Sequence, residues 1–257
     1  EIKKILFFSF NFLPDQSPCS SRTKLLVEKL HKIEKKLKII IICSTPRRFG
    51  KKFNRKDLKK EDKFYNNKNI IIFRIWIPFL GQGPLASLIS YLFYFIQAGI
   101  FSLFIKPDIT FVTSAKLLTA LLAAISSNIS GSRLFVDIRD IFTDNFFYFY
   151  RWNKRIILFS MIVVLENIVV RSAYSINLIS SGFNNAYLGW ESILRRKSIK
   201  VTNFTNGYIR DLTESETVDK HKSSINSNFY KIVYAGNIGV GQNLLSLINC
   251  LSSNPKI

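Results

Sequence analysis

Seven short apolar segments recur over the first 204 residues with helix-like segments between most of them, and few folds accommodate this alternation. The first segment, residues 2–10, is almost continuously apolar, which is typical of a strand buried on both faces of a parallel sheet. The other predicted strands are residues 37–43, 70–76, 108–113, 134–138, 175–180 and 200–204. The pattern predicts an α/β fold, a Rossmann-like parallel sheet with helices on both faces.

A further strand, glycine and helix pattern occurs near residue 240. Residues 232–235 are predicted as a buried strand and residues 243–252 as a helix, with Gly236, Gly239 and Gly241 between them. Glycines allow a ligand to approach the backbone closely, and a helix N-terminus favours an anion. The order therefore predicts the opening unit of a nucleotide-binding domain, although the spacing is not GxGxxG and no P-loop lysine follows.

These patterns divide the chain into two predicted domains. Residues 1–210 form an N-terminal Rossmann-like domain, and the polar residues 211–228 form a linker. Residues 229–257 begin a second Rossmann-like domain. Because a doubly wound sheet needs several such units, we expect this second domain to be incomplete at residue 257.

The charge of the chain limits its partners. Lys and Arg number 37 against 17 Asp and Glu, which gives a formal net charge of +20. Such a charge attracts nucleic acids, anionic membranes or phosphorylated small molecules. We expect no nucleic-acid partner, because no recognition motif is present. Three cysteines without a CxxC pair and only two histidines argue against a zinc site or a disulfide framework, and indicate a reducing compartment.

Two segments suggest contact with a membrane. Residues 47–68 are strongly basic, and we interpret them as a solvated loop with acidic lipid headgroups as a secondary partner. Residues 85–105 carry no charge and are long enough to span a bilayer. A helix that lies on or dips into the membrane face is the favoured interpretation, ahead of a buried core helix and a true span.

The loop after the first strand is rich in hydroxyl groups. Ser17, Cys19 and Ser20 lie between this strand and a helix predicted over residues 22–34, with Ser20 or Ser21 as its N-cap and Arg22 in its first turn. Ligands of such sheets bind at the carboxyl ends of the strands. The loop therefore suits a phosphate or a sugar hydroxyl, but an ordinary loop with a capping serine fits equally well.

The fifth predicted strand ends in the charged sequence Asp137-Ile138-Arg139-Asp140. These side chains could pair with one another, or they could order a polar substrate. Asp140 follows the strand, where function concentrates, and is the candidate catalytic residue. Glu166 lies in an apolar helix and is interpreted as structural, with Arg171 or Arg139 as its partner.

Together these segments resemble bacterial family 4 (group 1) glycosyltransferases of the GT-B fold, and in particular the branch that assembles capsule, exopolysaccharide and O-antigen. The strings that carry the resemblance run nearly end to end: Ile5-Leu6-Phe7-Phe8-Ser9 leading to Pro14-Asp15, Ser20-Ser21-Arg22-Thr23, Leu26-Val27-Glu28-Lys29-Leu30, Pro107-Asp108-Ile109, Val112-Thr113-Ser114, Asp137-Ile138-Arg139-Asp140-Ile141-Phe142, Leu165-Glu166, Asn203-Phe204-Thr205-Asn206-Gly207 and Val233-Tyr234-Ala235-Gly236-Asn237-Ile238-Gly239.

The resemblance implies an acceptor-binding N-terminal domain and a donor-binding C-terminal domain that face a cleft. It implies retaining transfer of a sugar from a nucleotide-diphosphate sugar, without a bound metal or other cofactor. The acceptor would be a lipid-linked saccharide at the inner face of the cytoplasmic membrane. The donor-side residues would be Gly236, Asn237, Gly239, Gln242, Asn206 and Gly207, and the acceptor-side or phosphate-side residues would be Ser17, Cys19, Ser20, Arg22 and Arg139.

Two departures from the family pattern qualify this interpretation. Cys19 stands where the family usually has glycine, and the family's C-terminal acidic motif would lie beyond Ile257. We therefore expect these 257 residues alone to be inactive. The alternative function is a non-catalytic module that binds a membrane surface or a polyanion. A nucleotide-dependent oxidoreductase is disfavoured, because no acidic residue closes the second strand.

Overall fold

A computed structural model of the chain describes residues 3–15, 17–46, 55–66, 69–78, 81, 84–113, 116–141, 143, 156–180, 183, 190–205, 232–236 and 243–253. The chain divides into two compact units, Glu1–Gly207 and Tyr208–Ile257.

The first unit is built on one sheet of seven parallel strands in the order β3-β2-β1-β4-β5-β6-β7. The strands are β1 (Lys4–Phe8), β2 (Lys38–Ser44), β3 (Ile70–Ile75), β4 (Ile109–Thr113), β5 (Arg133–Ile138), β6 (Ser175–Leu178) and β7 (Lys200–Asn203). All seven predicted strands are present, and the predicted α/β Rossmann-like fold is confirmed.

Helices connect successive strands and cover both faces of the sheet. They are α1 (Pro18–Ile33), α2 (Arg55–Asn66), α3 (Pro84–Leu103), α4 (Leu117–Ser130), α5 (Ile156–Ser172) and the short, unpredicted α6 (Glu191–Arg196). Two hydrophobic clusters lie against opposite faces. Val27 of α1 and Tyr65 of α2 belong to one cluster. Tyr94 of α3, Ala123 of α4 and Val170 of α5 belong to the other.

Helix α1 begins four residues before its predicted start. Ser17 is the N-cap: its backbone is extended, and its Oγ accepts a hydrogen bond from the Ser20 N–H at 3.0 Å. Pro18 follows at the first helical position, where the fixed φ of proline suits a helix and its missing N–H costs nothing. The prediction of Ser20 or Ser21 as the cap is therefore wrong.

Part of the basic segment is helical, which contradicts its interpretation as a loop. Residues 55–66 form α2, and residues 47–54, 67 and 68 lie outside the described residues. Asp62 of α2 accepts from Arg74 Nη2 at 2.7 Å and Nε at 3.0 Å, which fixes the helix to β3. Arg74 also donates from Nη1 to the Leu13 carbonyl at 2.8 Å. This tertiary anchor explains why composition alone missed the helix.

In the second unit, α7 (Leu244–Ser252) confirms the predicted helix, but residues 232–235 are not a strand. Ile232 and Val233 are exposed rather than buried. A strand is stabilised by hydrogen bonds to a neighbouring strand, and the described residues of this unit include no strand that could pair with residues 232–235. The predicted domain boundaries at residues 210 and 228 remain predictions.

Candidate functional site

Polar side chains gather at the carboxyl edge of the sheet, where β1 lies beside β4. The strand order reverses at this point, because β2 and β3 lie on one side of β1 and β4 to β7 lie on the other. Ligands of open parallel sheets bind at such a switch point. The polar residues come from the end of β1, the first turns of α1, the end of β4 and the end of β5: Ser9, Ser17, Cys19, Ser20, Arg22, Thr23, Thr113, Asp137, Arg139 and Asp140.

The first turns of α1 form a buried cluster of hydroxyls around one thiol. Ser9 Oγ lies 3.1 Å from Thr23 Oγ1 and 3.7 Å from Cys19 Sγ. Burial raises the pKa of the Cys19 thiol, and the Ser9 hydrogen bond and the Arg139 charge only partly oppose this effect. Cys19 is therefore a neutral packing residue at the site, since the thiolate is the reactive form. Ser20 Oγ is also buried and has no hydrogen-bond partner in the part of the chain that the structure describes.

Arg22 and Asp137 form a bidentate ion pair beneath this edge. Arg22 Nε donates to Asp137 Oδ2 at 2.6 Å, and Arg22 Nη2 donates to Oδ1 at 2.9 Å. The Asp137 side chain is 1% exposed and that of Arg22 is 13% exposed. Sequence analysis predicted Arg22 in a loop that suits a phosphate or a sugar hydroxyl, but its Nε and Nη2 already bind the Asp137 carboxylate. Arg22 and Asp137 are 115 residues apart in the sequence, so no local pattern could predict that they pair.

Asn177 of β6 extends this pair to the end of β7. Its Nδ2 donates to Asp137 Oδ1 at 2.6 Å, and its Oδ1 accepts from the Phe204 N–H at 2.8 Å. Arg22 Nη1 approaches the Thr205 carbonyl at 3.4 Å. We refer to Arg22, Asp137, Asn177 and the main chain of Phe204 and Thr205 as the Asp137 network. It joins α1, β5 and β6 to the segment that follows β7.

Asp140 and Arg139 follow Asp137 and are more accessible. Asp140 is exposed and Arg139 is half-buried. Asp140 also lines a shallow, mainly apolar pocket beside the buried Glu166, which accepts from Thr143 Oγ1 at 2.8 Å. The pocket is lined by Leu117, Ala120, Val136, Ile138, Asp140, Glu166, Val169, Val170 and Trp190. Its volume of about 20 Å³ holds roughly one water molecule, so the exposed Asp140, rather than the pocket itself, is the group available to a substrate hydroxyl.

An aromatic cluster places a further cation at the same edge. Lys116, the N-cap of α4, holds its Nζ 4.0 Å from the ring centroid of Phe10 and 4.9 Å from that of Tyr91. The Tyr91 hydroxyl is hydrogen-bonded to Thr119, and Tyr94 donates to the Ile42 carbonyl at 2.9 Å. Burial raises the pKa of both tyrosines, so both are neutral phenols. Nothing local in the sequence predicted this cluster.

The predicted donor residues are only partly described. Asn206, Gly207, Asn237, Gly239 and Gln242 lie outside the described residues. Gly236 is exposed, and a Cβ placed there would lie 2.8 Å from the hydroxyl oxygen of Tyr234. Any side chain at position 236 would therefore displace the Tyr234 ring. The donor-binding role of these residues remains a prediction.

No protein-family model matches the chain, and no curated protein matches it. Solved structures that resemble it include Anabaena Alr3699/HepE in complex with UDP and glucose, at 13% identity and a TM-score of 0.44, over 80% of this chain and 45% of that chain. The lipopolysaccharide outer core galactosyltransferase WaaB resembles it at 13% identity and a TM-score of 0.42, over 73% of this chain and 42% of WaaB. A UDP-glucosyltransferase from Polygonum tinctorium resembles it at 9% identity and a TM-score of 0.45, over 87% of this chain and 56% of that chain.

The chain spans about half the length of these three solved proteins. Likenesses at such low identity concern the fold alone.

Proposed function

We propose that the protein is a retaining glycosyltransferase of the GT-B type. It transfers a sugar from a nucleotide-diphosphate sugar to a lipid-linked saccharide in the synthesis of a cell-surface polysaccharide, at the inner face of the cytoplasmic membrane. The first unit supplies the acceptor side, and the second unit begins the donor side. The reaction needs no cofactor beyond the donor substrate.

The observation that carries this proposal is the polar edge at the switch point between β1 and β4. One end of a parallel sheet brings together cations (Lys116, Arg139), a carboxylate (Asp140) and buried hydroxyls. Cations and N–H groups suit a diphosphate, whereas carboxylates suit sugar hydroxyls. A sugar nucleotide and a saccharide acceptor present both kinds of group.

In the proposed reaction the bond between the anomeric carbon and the donor diphosphate breaks. A bond from that carbon to an acceptor hydroxyl oxygen forms, and the hydroxyl proton passes to an oxygen of the leaving diphosphate. Positioning of the two substrates and stabilisation of the leaving diphosphate would supply most of the rate enhancement. Asp140 would orient the acceptor hydroxyl, and the Asp137 network would hold the end of β5 from which Asp140 projects.

The experiment is a transfer assay with the full-length natural protein. Nucleotide-diphosphate sugars would be tested in turn against lipid-linked saccharides extracted from the host membrane, and the anomeric configuration of the product would be read by NMR. Asp140→Asn should lower kcat by about 100-fold, the usual cost of a reacting hydroxyl that is held out of position. Glu191→Gln, on exposed α6, is the matched control and should leave the rate unchanged.

Inversion at the anomeric carbon would refute the retaining mechanism. An Asp140→Asn enzyme with wild-type kcat would refute the role of Asp140. Absence of transfer with every donor, together with intact binding to anionic vesicles, would favour the non-catalytic membrane module instead.

A further inference from the structure

Helix α3 has two apolar sides: one lies in the core, and the other is largely exposed, although its Phe93 and Phe101 contact Trp76 and Phe73. Tyr91, Tyr94 and Ala98 lie on the inner side and belong to the core. The outer side is also apolar, although surface helices are normally polar there. Its exposed residues, with Phe104 just beyond the helix, are Leu85, Leu88, Leu92, Phe93, Ile96, Ile100, Phe101, Leu103 and Phe104. By length and composition this is the one described helix that could cross a bilayer. Only 22% of its most apolar 18-residue stretch is buried inside the protein.

The exposed apolar surface continues across the two neighbouring helices. Helix α4 packs against both α3 and α5, and all three cover the same face of the sheet. Their further exposed apolar side chains are Ile125 and Ile129 on α4, and Ile157, Leu158, Met161, Val164 and Ile168 on α5. We call the exposed apolar residues of α3, α4 and α5, with Phe104, the apolar face. Patches of this extent normally mark a surface that binds a protein or a membrane.

The described charges that border the apolar face are mostly positive. Lys106 follows α3, and Arg171 lies in the last turn of α5. Helix α6, which packs against α5, and the residue after it carry Arg195, Arg196 and Lys197 with one carboxylate, Glu191. Basic residues at the margin of an apolar surface suit an anionic lipid leaflet, because headgroups lie at that depth.

We propose that the apolar face inserts into one leaflet of an anionic membrane, with α3 in the plane of the interface. The inference rests on the proposed function, since it gives the surface through which the enzyme would reach a lipid-linked acceptor. A spanning α3 does not fit, because its inner side is fixed to the sheet: Tyr94 donates to the Ile42 carbonyl, and Tyr91 is hydrogen-bonded to Thr119. The lysines of α2 lie over the opposite face and stay in solvent.

Site-specific fluorescence on the full chain tests the orientation without any sugar substrate. Cys19 and Cys43 are buried and Cys250 is exposed, so a Cys250→Ser background accepts a single new cysteine for labelling. An environment-sensitive dye at Ile96→Cys on α3 should shift to the blue on vesicles of phosphatidylcholine with phosphatidylglycerol. The same dye at Lys59→Cys on α2 should not shift. Equal shifts at both positions, or a shift at position 59 only, would overturn the proposal.

Vesicle flotation tests the energetics. The double variant Ile96→Glu, Ile100→Glu should lower the vesicle partition coefficient by about tenfold or more. Two apolar side chains that would insert among the lipids become charged, and interfacial binding of this kind depends on the apolar area inserted. Both positions are more than half exposed, so folding should be retained, and circular dichroism checks it. Lys59→Glu with Lys63→Glu is the matched control and should retain most binding.

The remaining outcomes also decide the question. Failure of the wild-type chain to float with anionic vesicles would overturn the inference whether or not sugar transfer is found. If light scattering showed a wild-type dimer and a monomeric Ile96→Glu, Ile100→Glu variant, and the wild type did not bind vesicles, the apolar face would be assigned to contact with a second copy instead. Vesicle binding without sugar transfer would support this inference and leave the proposed function refuted.

Discussion

Arg22 and Asp137 bind each other through two hydrogen bonds of 2.6 and 2.9 Å and join α1 to the end of β5. Both side chains are largely withdrawn from water. Removal of one partner leaves the other as a buried, uncompensated charge, which costs far more than the pair contributes net. The pair is therefore a stringent structural requirement at the centre of the candidate site.

Arg22→Met should destabilise the first unit by about 3 kcal/mol or more, because the Asp137 carboxylate would stay buried without its cation. Arg195→Met is the matched control. Arg195 and Glu191 form an exposed pair at 3.2 Å, which should be worth less than about 1 kcal/mol. Urea denaturation at pH 7 measures both. Equal changes in the two variants would mean that Arg22–Asp137 is solvated in solution.

The stability of the first unit should fall more when Asn177 is replaced by a charged residue than when its side chain is truncated. Asn177→Ala removes the hydrogen bonds to Asp137 and Phe204, which should cost about 1–3 kcal/mol. Asn177→Asp keeps the shape but places a second carboxylate against Asp137, so it should be the more destabilised variant at pH 7.

Hydrogen exchange at the Phe204 amide measures the local effect, and it should speed up in both Asn177 variants. Asn128→Ala, which removes an exposed bond to Ser172, is the control and should leave that amide unchanged. If Asn177→Ala proved less stable than Asn177→Asp, a second carboxylate would be tolerated beside Asp137, and the proposed sensitivity of this position to charge would be wrong.

Most strands could be predicted from sequence because they are apolar runs that the sheet buries, as in β2, whereas β7 is an edge strand and is largely exposed. Helix boundaries were harder to predict. Ser17, Ser20 and Ser21 are all plausible caps, and Pro18 at the first helical position is the local signal that favours Ser17. Helix α2 was missed because Arg74 of β3 stabilises it through Asp62, a contact between two elements. Residues 232–235 have strand composition, but composition cannot supply a neighbouring strand.

The candidate site was predicted in location but not in its contacts. Strand-end segments indicated the correct edge, because parallel strands end together. The partners within the Asp137 network are separated by 27 to 183 residues, so no local spacing could reveal them. Arg22 in particular was expected to face a ligand, whereas its guanidinium binds Asp137 from within the fold.

Asp108 should make the stability of the chain depend on pH under acidic conditions. Its Oδ2 accepts from the N–H groups of Lys3 at 2.9 Å and Lys4 at 2.8 Å. These bonds lower the pKa of Asp108 below its ordinary value. Because the folded state favours the ionised form, the stabilisation is present above the ordinary carboxyl pKa, about 4, and is lost as pH falls through the lowered pKa.

Asp108→Asn should therefore be less stable than the wild type at pH 7, and the two proteins should converge as the pH falls below about 4. The difference should be modest, because the carboxylate is solvent-exposed. Urea midpoints at a series of pH values measure it, with Glu191→Gln as the control for loss of an exposed carboxylate. A gap between Asp108→Asn and the wild type that widens at low pH would contradict the prediction.

The three cysteines should differ sharply in reactivity. Cys19 and Cys43 are buried and Cys250 is exposed, and burial raises the pKa of the Cys19 thiol. Because the thiolate is the reacting form, a disulfide reagent at pH 8 should modify Cys250 quickly and the other two only on unfolding. Cys250→Ser should abolish the fast phase, and its two remaining thiols should react only after denaturant is added. A fast phase that persists in Cys250→Ser but disappears when Cys19→Ser is added would mean that the first turn of α1 opens in solution, and that the hydroxyl cluster around Cys19 is accessible to a ligand.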